Sequence, residues 1–269
     1  MDMEIITRVR EQLGDKLVWP DVDTSRTLKH AAAQKAFVEM VKLNGVNSLE
    51  LFDRIHRCFE EHSLKRPYHD WYHTCCVVEG TIQGLRYLLK GRLPDLADTL
   101  QKEVNSTILA AAFHDVGHSG VKEPDIVNVS RSIMIAHRFL ADAGIQDKGD
   151  GAVAVDIPFL LESLQSTQFP FKREPLNEYQ AILRDADLLQ ILEPTWFDDL
   201  YINMYKEFLE GNPALDFRQF CLNEMVFIKS AKFHSQWFRN EKNGTFLDTA
   251  LPRVEKAYSA VCSLSRHAM

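Results

Sequence analysis

Apolar residues in this chain return every three or four positions and almost never every two, and that spacing limits the fold more than any other feature. Ala33, Phe37, Met40 and Val41 follow this rule, as do Leu49, Phe52, Ile55 and Phe59. Each set lines one face of a helix. The same reading predicts helices over 69–90, 95–116, 128–143, 155–166, 175–192, 196–210, 216–237 and 247–264. No stretch alternates as a strand would. Punctuation falls between these segments, at Trp19-Pro20-Asp21, Asn44-Gly45, Lys90 to Pro94, Asp147 to Gly151, Phe169-Pro170-Phe171 and Gly211-Asn212-Pro213. An all-α, compact multi-helix bundle is expected. It comprises an N-terminal helical cap over 1–45 and a catalytic domain over 46–269, or one continuous domain.

Charge narrows the partners. The net charge is −7, and no run of Lys and Arg follows one face, so a long nucleic acid is not an expected ligand. A small anionic substrate would need positive charge supplied locally, which bound divalent cations do. The five cysteines form no CxxC pair, which fits a reducing compartment. The N-terminus lacks the apolar core of a signal peptide, and no apolar window is long enough to span a bilayer. A cytoplasmic protein without membrane contact is expected.

Three places carry chemistry. His69 and His73 stand four apart in Tyr68-His69-Asp70-Trp71-Tyr72-His73, a spacing that puts both imidazoles on one face of a helix. His114 and His118 repeat the spacing, with Asp115 beside the first. Asp185 and Asp187 interrupt an otherwise apolar helix, where an unpaired carboxylate would cost several kcal/mol unless a cation offsets it. Asp187, between Ala186 and Leu188, is the expected ligand, and Asp185 its exposed neighbour. Imidazole and carboxylate together suit divalent ions with N and O ligands.

The ordered set His73, His114-Asp115, Asp187 resembles the HD superfamily of metal-dependent phosphohydrolases. Residues 68–73 resemble the YHNxxH motif of class I 3′,5′-cyclic-nucleotide phosphodiesterases, residues 114–121 their HDxxHPGxxN motif, and the segment around Asp187 their ATD(M/L)S motif. The likeness spans about residues 50–240. Asp70 replaces the usual Asn and Ser119 the usual Pro. The stretch between Asp115 and Asp187 is short, and Ser130-Arg131-Ser132 does not match the family's Glu-Asn-His-His region. A shortened bacterial or viral relative is expected.

The resemblance implies two divalent ions, with Zn, Mg, Mn or Fe as candidates. His73, His114, Asp115 and Asp187 would hold the first, and Asp115 would bridge to a second whose other ligands are mostly water. Such a centre acidifies an attacking water. His69 is implied as the general acid, with His118 orienting the centre from behind. Tyr68 joins the substrate site. In Asn223-Glu224-Met225-Val226-Phe227, Glu224 and Phe227 fall on the family's QxxF base-reading positions. A carboxylate only accepts hydrogen bonds, which would favour guanine. A slipped alignment would give Gln219 this role and leave Glu224 in solvent.

The implied reaction is hydrolysis of a phosphodiester in a small nucleotide, with a 3′,5′-cyclic one expected. Two rivals share the ligand set: an HD enzyme acting on nucleoside monophosphates or a guanosine tetraphosphate-like alarmone, and a catalytically silent nucleotide-binding HD module. Met40, Met134, Met204 and Met225 are expected in the core, with Cys75 and Cys76. His30, His56, His62, His137, His234 and His267 show no convergent partners, and Lys122 and Arg131 are either phosphate contacts or solvated surface.

Overall fold

The computed structural model describes residues 2–14, 21–90, 98–145, 155–171 and 173–266. It is helical throughout, with no strand among the described residues. The helices are α1 (Asp2–Gly14), α2 (Val22–Met40), α3 (Ser48–His62), α4 (Trp71–Leu88), α5 (Asp98–Phe113), α6 (Asp125–Asp142), α7 (Ile157–Ser166) and α8 (Glu178–Asp187). A 3-10 turn at Leu189–Leu192 and a π-helical segment at Phe197–Met204 lead into α9 (Tyr205–Gly211) and α10 (Phe217–Ser230). The short α11 (Asn243–Thr245) lies between two π turns, and α12 (Leu251–Arg266) closes the chain.

α4 is buried on nearly every face, from Trp71 through Leu85, which is why its sequence is apolar all round rather than along one stripe. It packs against α2, α5 and α8. Two of its glycines let α8 come close. A Cβ on Gly84 would lie 2.5 Å from Ile182 Cγ2, and one on Gly80 would lie 3.1 Å from Ala186 Cβ. That approach brings Asp187, the last residue of α8, beside His73 in the first turn of α4.

Two hydrophobic cores form. One joins α2 to α5, α7 and α8 around Phe37, Phe52, Val78, Ile108, Phe113 and Ile182. The other joins α1 to the C-terminal third around Trp196, Tyr201, Tyr205, Phe217, Phe220 and Phe246. Burial of each such ring stabilises by roughly 1.5–3 kcal/mol. The loop 63–70 and the 3-10 turn run between the cores: Trp71 and Cys75 face the first and Tyr68 and Ile191 the second.

Several expectations need correction. The helix expected over 69–90 starts at Trp71, because Asp70 caps it by accepting the His73 N–H at 3.0 Å, so His69 precedes the helix. α5 stops at Phe113, so His114 and Asp115 lie in the turn after it. The helix expected over 216–237 stops at Ser230, and the one over 175–192 changes to a 3-10 turn after Asp187. Met134 is 67% exposed rather than core. Met40, Cys75 and Cys76 are buried as expected. The punctuation at 19–20, 91–94 and 147–151, the start of the helix expected at 95, and His267 lie outside the described residues.

Candidate metal centre and its neighbouring cavity

The two i, i+4 histidine pairs do not form two sites. They cross over, so that His73 meets His114 and His69 meets His118. His73 Nε2 and His114 Nε2 stand 3.3 Å apart. Asp115 Oδ2 lies 3.2 Å from the first and 3.1 Å from the second, and Asp187 Oδ1 lies 3.1 Å and 3.5 Å from them. Both imidazoles are buried.

Their far sides are fixed. His114 Nδ1 donates to the Ala111 carbonyl at 2.8 Å, and His73 Nδ1 donates to Gln190 Oε1 at 2.5 Å. A carbonyl oxygen can only accept, so the proton sits on Nδ1 and the Nε2 lone pair faces the cluster. This is the outer support that imidazole ligands to metals require.

The cluster fits a cation better than it fits itself. Asp115 Oδ2 is buried between two imidazole nitrogens and accepts no hydrogen bond. Ligand atoms about 2.0–2.3 Å from a shared ion stand roughly 3.0–3.5 Å from one another, which is the spacing found here. With protons alone, burial disfavours the His73 charge, but the Asp115 and Asp187 carboxylates overcome this and raise its pKa to about 10. His114 is raised for the same reason, while the imidazoles hold Asp115 and Asp187 well below the usual carboxylate range against burial. A cation would take over the role of those protons.

The second cluster is already satisfied. Glu207 on α9 is fully buried; its Oε1 accepts the backbone N–H groups of Tyr68 at 2.7 Å and His69 at 3.0 Å, and its Oε2 accepts His69 Nδ1 at 2.7 Å. Gly120 makes room for it: its φ of +73° suits glycine, and a Cβ there would stand 3.2 Å from Glu207 Oε2. The His69 and His118 rings stack at 3.7 Å. His118 Nδ1 accepts the Gly120 N–H at 3.0 Å, and Asn128 Nδ2 lies 3.1 Å from its Nε2. His69 and His118 also diverge in proton affinity. Burial disfavours the His69 charge, but Asp115 and Glu207 raise its pKa above the ordinary value, while burial and the neighbouring His69 lower that of His118.

Both clusters open onto one cavity of about 540 Å³. One end carries His69, His73, Asp115, His118 and Asp187. The other is mostly apolar, with Leu188, Ile191, Met204, Phe208, Phe227 and Ile228. Phe169 stands edge-on to Phe227 at 5.6 Å, and the Phe169 N–H is held by Asp125 at 2.6 Å. Tyr68 lines the wall between the ends, its ring 4.9 Å from those of both His69 and His73. A larger cleft of about 760 Å³, between α3 and α6, is lined by several arginines, and its Glu61, His62 and Asp142 form no ligand cluster among the described residues, so the chemistry selects the smaller space.

Of the residues singled out from sequence, His73, His114, Asp115 and Asp187 come together, and Tyr68, His69, His118, Glu224 and Phe227 line the same cavity. Asp185 is not the exposed neighbour expected. It is fully buried and accepts the N–H groups of His234 and Ser235 and the Ser235 hydroxyl, pinning the loop after α10. Gln219 is exposed and bonded to Asn223, whereas Glu224 is buried. Lys122 pairs with Glu210, and Arg131 donates to the Gly117 carbonyl and to Glu123; neither lines the cavity. His30 has a partner in the Trp71 indole N–H, and His234 one in Glu174. Asp70 is paired with Arg26 of α2 at 2.5 Å, so the first core's N-terminal helix supports the cap of the helix that carries His73.

Sequence reasoning missed Glu207, Gln190, Asn128 and the Phe169-Pro170-Phe171 wall. The wall carried a signal, since two aromatics around a proline are unusual for a solvent turn. The polar three carried none.

No protein-family model matches the chain, and no curated protein matches it. Among solved structures it is similar to yeast caPDE2, with a TM-score of 0.52 and 14% identity over 97% of this chain and 72% of the other. That likeness is one of fold.

Proposed function

We propose that this chain is a metal-dependent phosphodiesterase of the HD type that opens a 3′,5′-cyclic nucleotide to its 5′-monophosphate. The observation that carries this reading is the convergence of His73, His114, Asp115 and Asp187 on one point, in the same cavity as a histidine held by a buried glutamate. The fold it shares with yeast caPDE2, a phosphodiesterase, supports the same reaction class.

The cavity's charge selects among phosphate substrates. Asp115, Glu123, Asp125, Asp187 and Glu224 line it, with no lysine or arginine among its described lining residues. Among the described lining residues, positive charge for a phosphate would come from bound ions or from the histidines. A wall of carboxylates without lysine or arginine among its described residues suits a diester with a single negative charge better than a tetraphosphate, so the alarmone reading is disfavoured. The silent-module reading is disfavoured because the ligand set is complete and its outer hydrogen bonds are in place.

His73, His114, Asp115 with its orphaned oxygen, and Asp187 would hold the divalent ions. Bound there, the ions would neutralise the phosphate and lower the pKa of the attacking water. Hydrolysis forms a bond from water oxygen to phosphorus and breaks the bond from phosphorus to the 3′ oxygen. The departing alkoxide needs a proton. His69 supplies it: Glu207 accepts the Nδ1–H, leaving Nε2 for the cavity, and the Glu207 carboxylate favours the charged ring. Glu207 also fixes the backbone of Tyr68 and His69, so the ring cannot swing away. The apolar end, between Phe169 and Phe227, takes the base.

Purified protein with Mn²⁺ or Mg²⁺, tested against cyclic AMP, cyclic GMP, cyclic dinucleotides, nucleoside monophosphates and guanosine tetraphosphate, should turn over a cyclic mononucleotide fastest. Faster release of phosphate from monophosphates, or of pyrophosphate from the tetraphosphate, would overturn the assignment.

A further inference from the structure

The molecule's two openings sort charge oppositely. The catalytic cavity is lined by carboxylates with no lysine or arginine among its described residues, whereas the cleft between α3 and α6 carries Arg54 and Arg57 from the first helix and Arg131 and Arg138 from the second. In a chain of net charge −7, four guanidiniums around one hollow need an account. The acids beside them are Glu61 and Asp142. Asp142 lies 3.8 Å from Arg138, and Arg54 and Arg57 pair with no described carboxylate. Arg54 instead rests its guanidinium 5.5 Å from the centre of the Phe139 ring. The floor is apolar, with Ile135, Phe139 and the exposed Met134. At about 760 Å³, the space falls within the roughly 300–1,000 Å³ of small-molecule sites.

We propose that this cleft binds a nucleoside triphosphate and that its occupation weakens substrate binding in the catalytic cavity through Arg131. Guanidiniums grip phosphate oxygens in bidentate pairs and stack on aromatic faces. Several of them around one hollow suit a chain of phosphates better than a single one, and Phe139 with Met134 offers the base an apolar seat. α6 is the wall between the two openings. Its Arg131 lines the cleft, yet donates to the Gly117 carbonyl at 2.7 Å and, at 2.6 Å, to Glu123, which lines the catalytic cavity. Gly117, in the turn that follows His114 and Asp115, has a φ of +74°, and a Cβ there would lie 2.9 Å from Ile135 Cδ1 and 3.0 Å from Arg131 Cδ. Ser132 of the same helix donates to the His114 carbonyl at 2.8 Å. A phosphate that draws the Arg131 guanidinium into the cleft leaves Glu123 without its cation, and the freed charge opposes an anionic substrate. The expected effect is a raised KM with kcat nearly unchanged, because the groups that meet the reacting atoms stay in place. The coupling, though not the binding itself, rests on the cyclic-nucleotide reading.

Calorimetry with ATP and GTP, at Mg²⁺ in excess of nucleotide, reads the site directly, with inorganic triphosphate as the probe for phosphate alone. Wild type and Asp115→Ala should bind the nucleotides alike, since the cleft does not use the metal centre. The double variant Arg57→Glu, Arg138→Glu changes two exposed side chains and should bind at least about tenfold more weakly, the scale of a lost charge-assisted hydrogen bond; Arg57→Ala replaces it if it does not fold. Inorganic triphosphate should bind more weakly than either nucleotide. In turnover of a cyclic nucleotide, ATP or GTP should raise KM about fivefold in wild type, the effect of one uncompensated charge a few Å away in a water-like medium. KM should not move in the double variant, nor in Glu123→Gln, which still binds the nucleotide. Chelation of the metal, or competition in the catalytic cavity, would instead act on all three alike. No binding to wild type, or binding lost from Asp115→Ala but kept by the double variant, overturns the site, and inorganic triphosphate binding as tightly as the nucleotides overturns the assignment of a nucleoside. Binding in the cleft with wild-type KM unmoved overturns the link through Arg131. An absence of turnover on every cyclic nucleotide would overturn the phosphodiesterase reading and leave the calorimetric result standing.

Discussion

Two histidine clusters lie within one cavity, and they have opposite hydrogen-bonding character. In the cluster of His73, His114, Asp115 and Asp187, lone pairs and carboxylate oxygens face one another at 3.1–3.5 Å, and Asp115 Oδ2 accepts nothing. In the cluster of His69, His118 and Glu207, the His69 Nδ1, the His118 Nδ1 and both Glu207 oxygens are engaged by protein donors or acceptors. Residue content does not separate them, since each offers imidazole and carboxylate atoms close enough to hold an ion. Satisfaction separates them. A cluster that leaves a buried acceptor unanswered asks for a cation, and one whose atoms are paired holds a proton in place.

The largest break in that comparison comes from Asp115→Ala. If Asp115 touches both ions, the substitution should remove nearly all turnover while the helical circular-dichroism signal stays near that of wild type. Wild-type rates in this variant would place the chemistry elsewhere. His69→Ala should act differently, losing roughly 10²–10⁴-fold on a cyclic nucleotide and much less on a nitrophenyl phosphodiester, whose leaving group needs no proton. Glu207→Gln should show the same contrast with a smaller loss, because it weakens the hold on His69 without removing the acid. Equal losses on both substrates would make the second cluster a metal or structural site.

Much of this architecture was legible in the residues. The helical fold follows from apolar spacing, and the candidate ligands were read from the histidine pairs, the aspartate beside His114 and a carboxylate in an apolar helix, with the resemblance to HD enzymes choosing among them. The crossing of the histidine pairs was not legible. It depends on Asp70 and on the end of α5 releasing His69 and His114 from their helices, which i, i+4 spacing alone cannot show. Glu207 was hidden for another reason. It lies 138 residues from His69, and in sequence it resembles Glu210, three residues on, which pairs at the surface with Lys122. Only the packing of α9 against the loop at Gly120 tells them apart.

Asp185 and Asp187 are a control within one helix, and Asp185→Asn should give the smallest effect on turnover. Asp185 is fully buried and holds the backbone of His234 and Ser235, whereas Asp187 opens to the cavity. Asp185→Asn should cost stability on the order of 1–3 kcal/mol by weakening that anchor, read by denaturant unfolding, and should change kcat by no more than a few-fold. A collapse of kcat with unchanged stability would give Asp185 a direct part in the site.

The central claim is that one cluster holds metal and the other holds a proton. Metal analysis of wild type, Asp115→Ala and His69→Ala, each dialysed against chelator and then reloaded with Mn²⁺, tests it most directly. Wild type and His69→Ala should bind the same amount of metal and Asp115→Ala clearly less, with wild-type turnover abolished by chelation and restored by reloading. Turnover that survives exhaustive chelation, or metal lost from His69→Ala but kept by Asp115→Ala, would contradict the account.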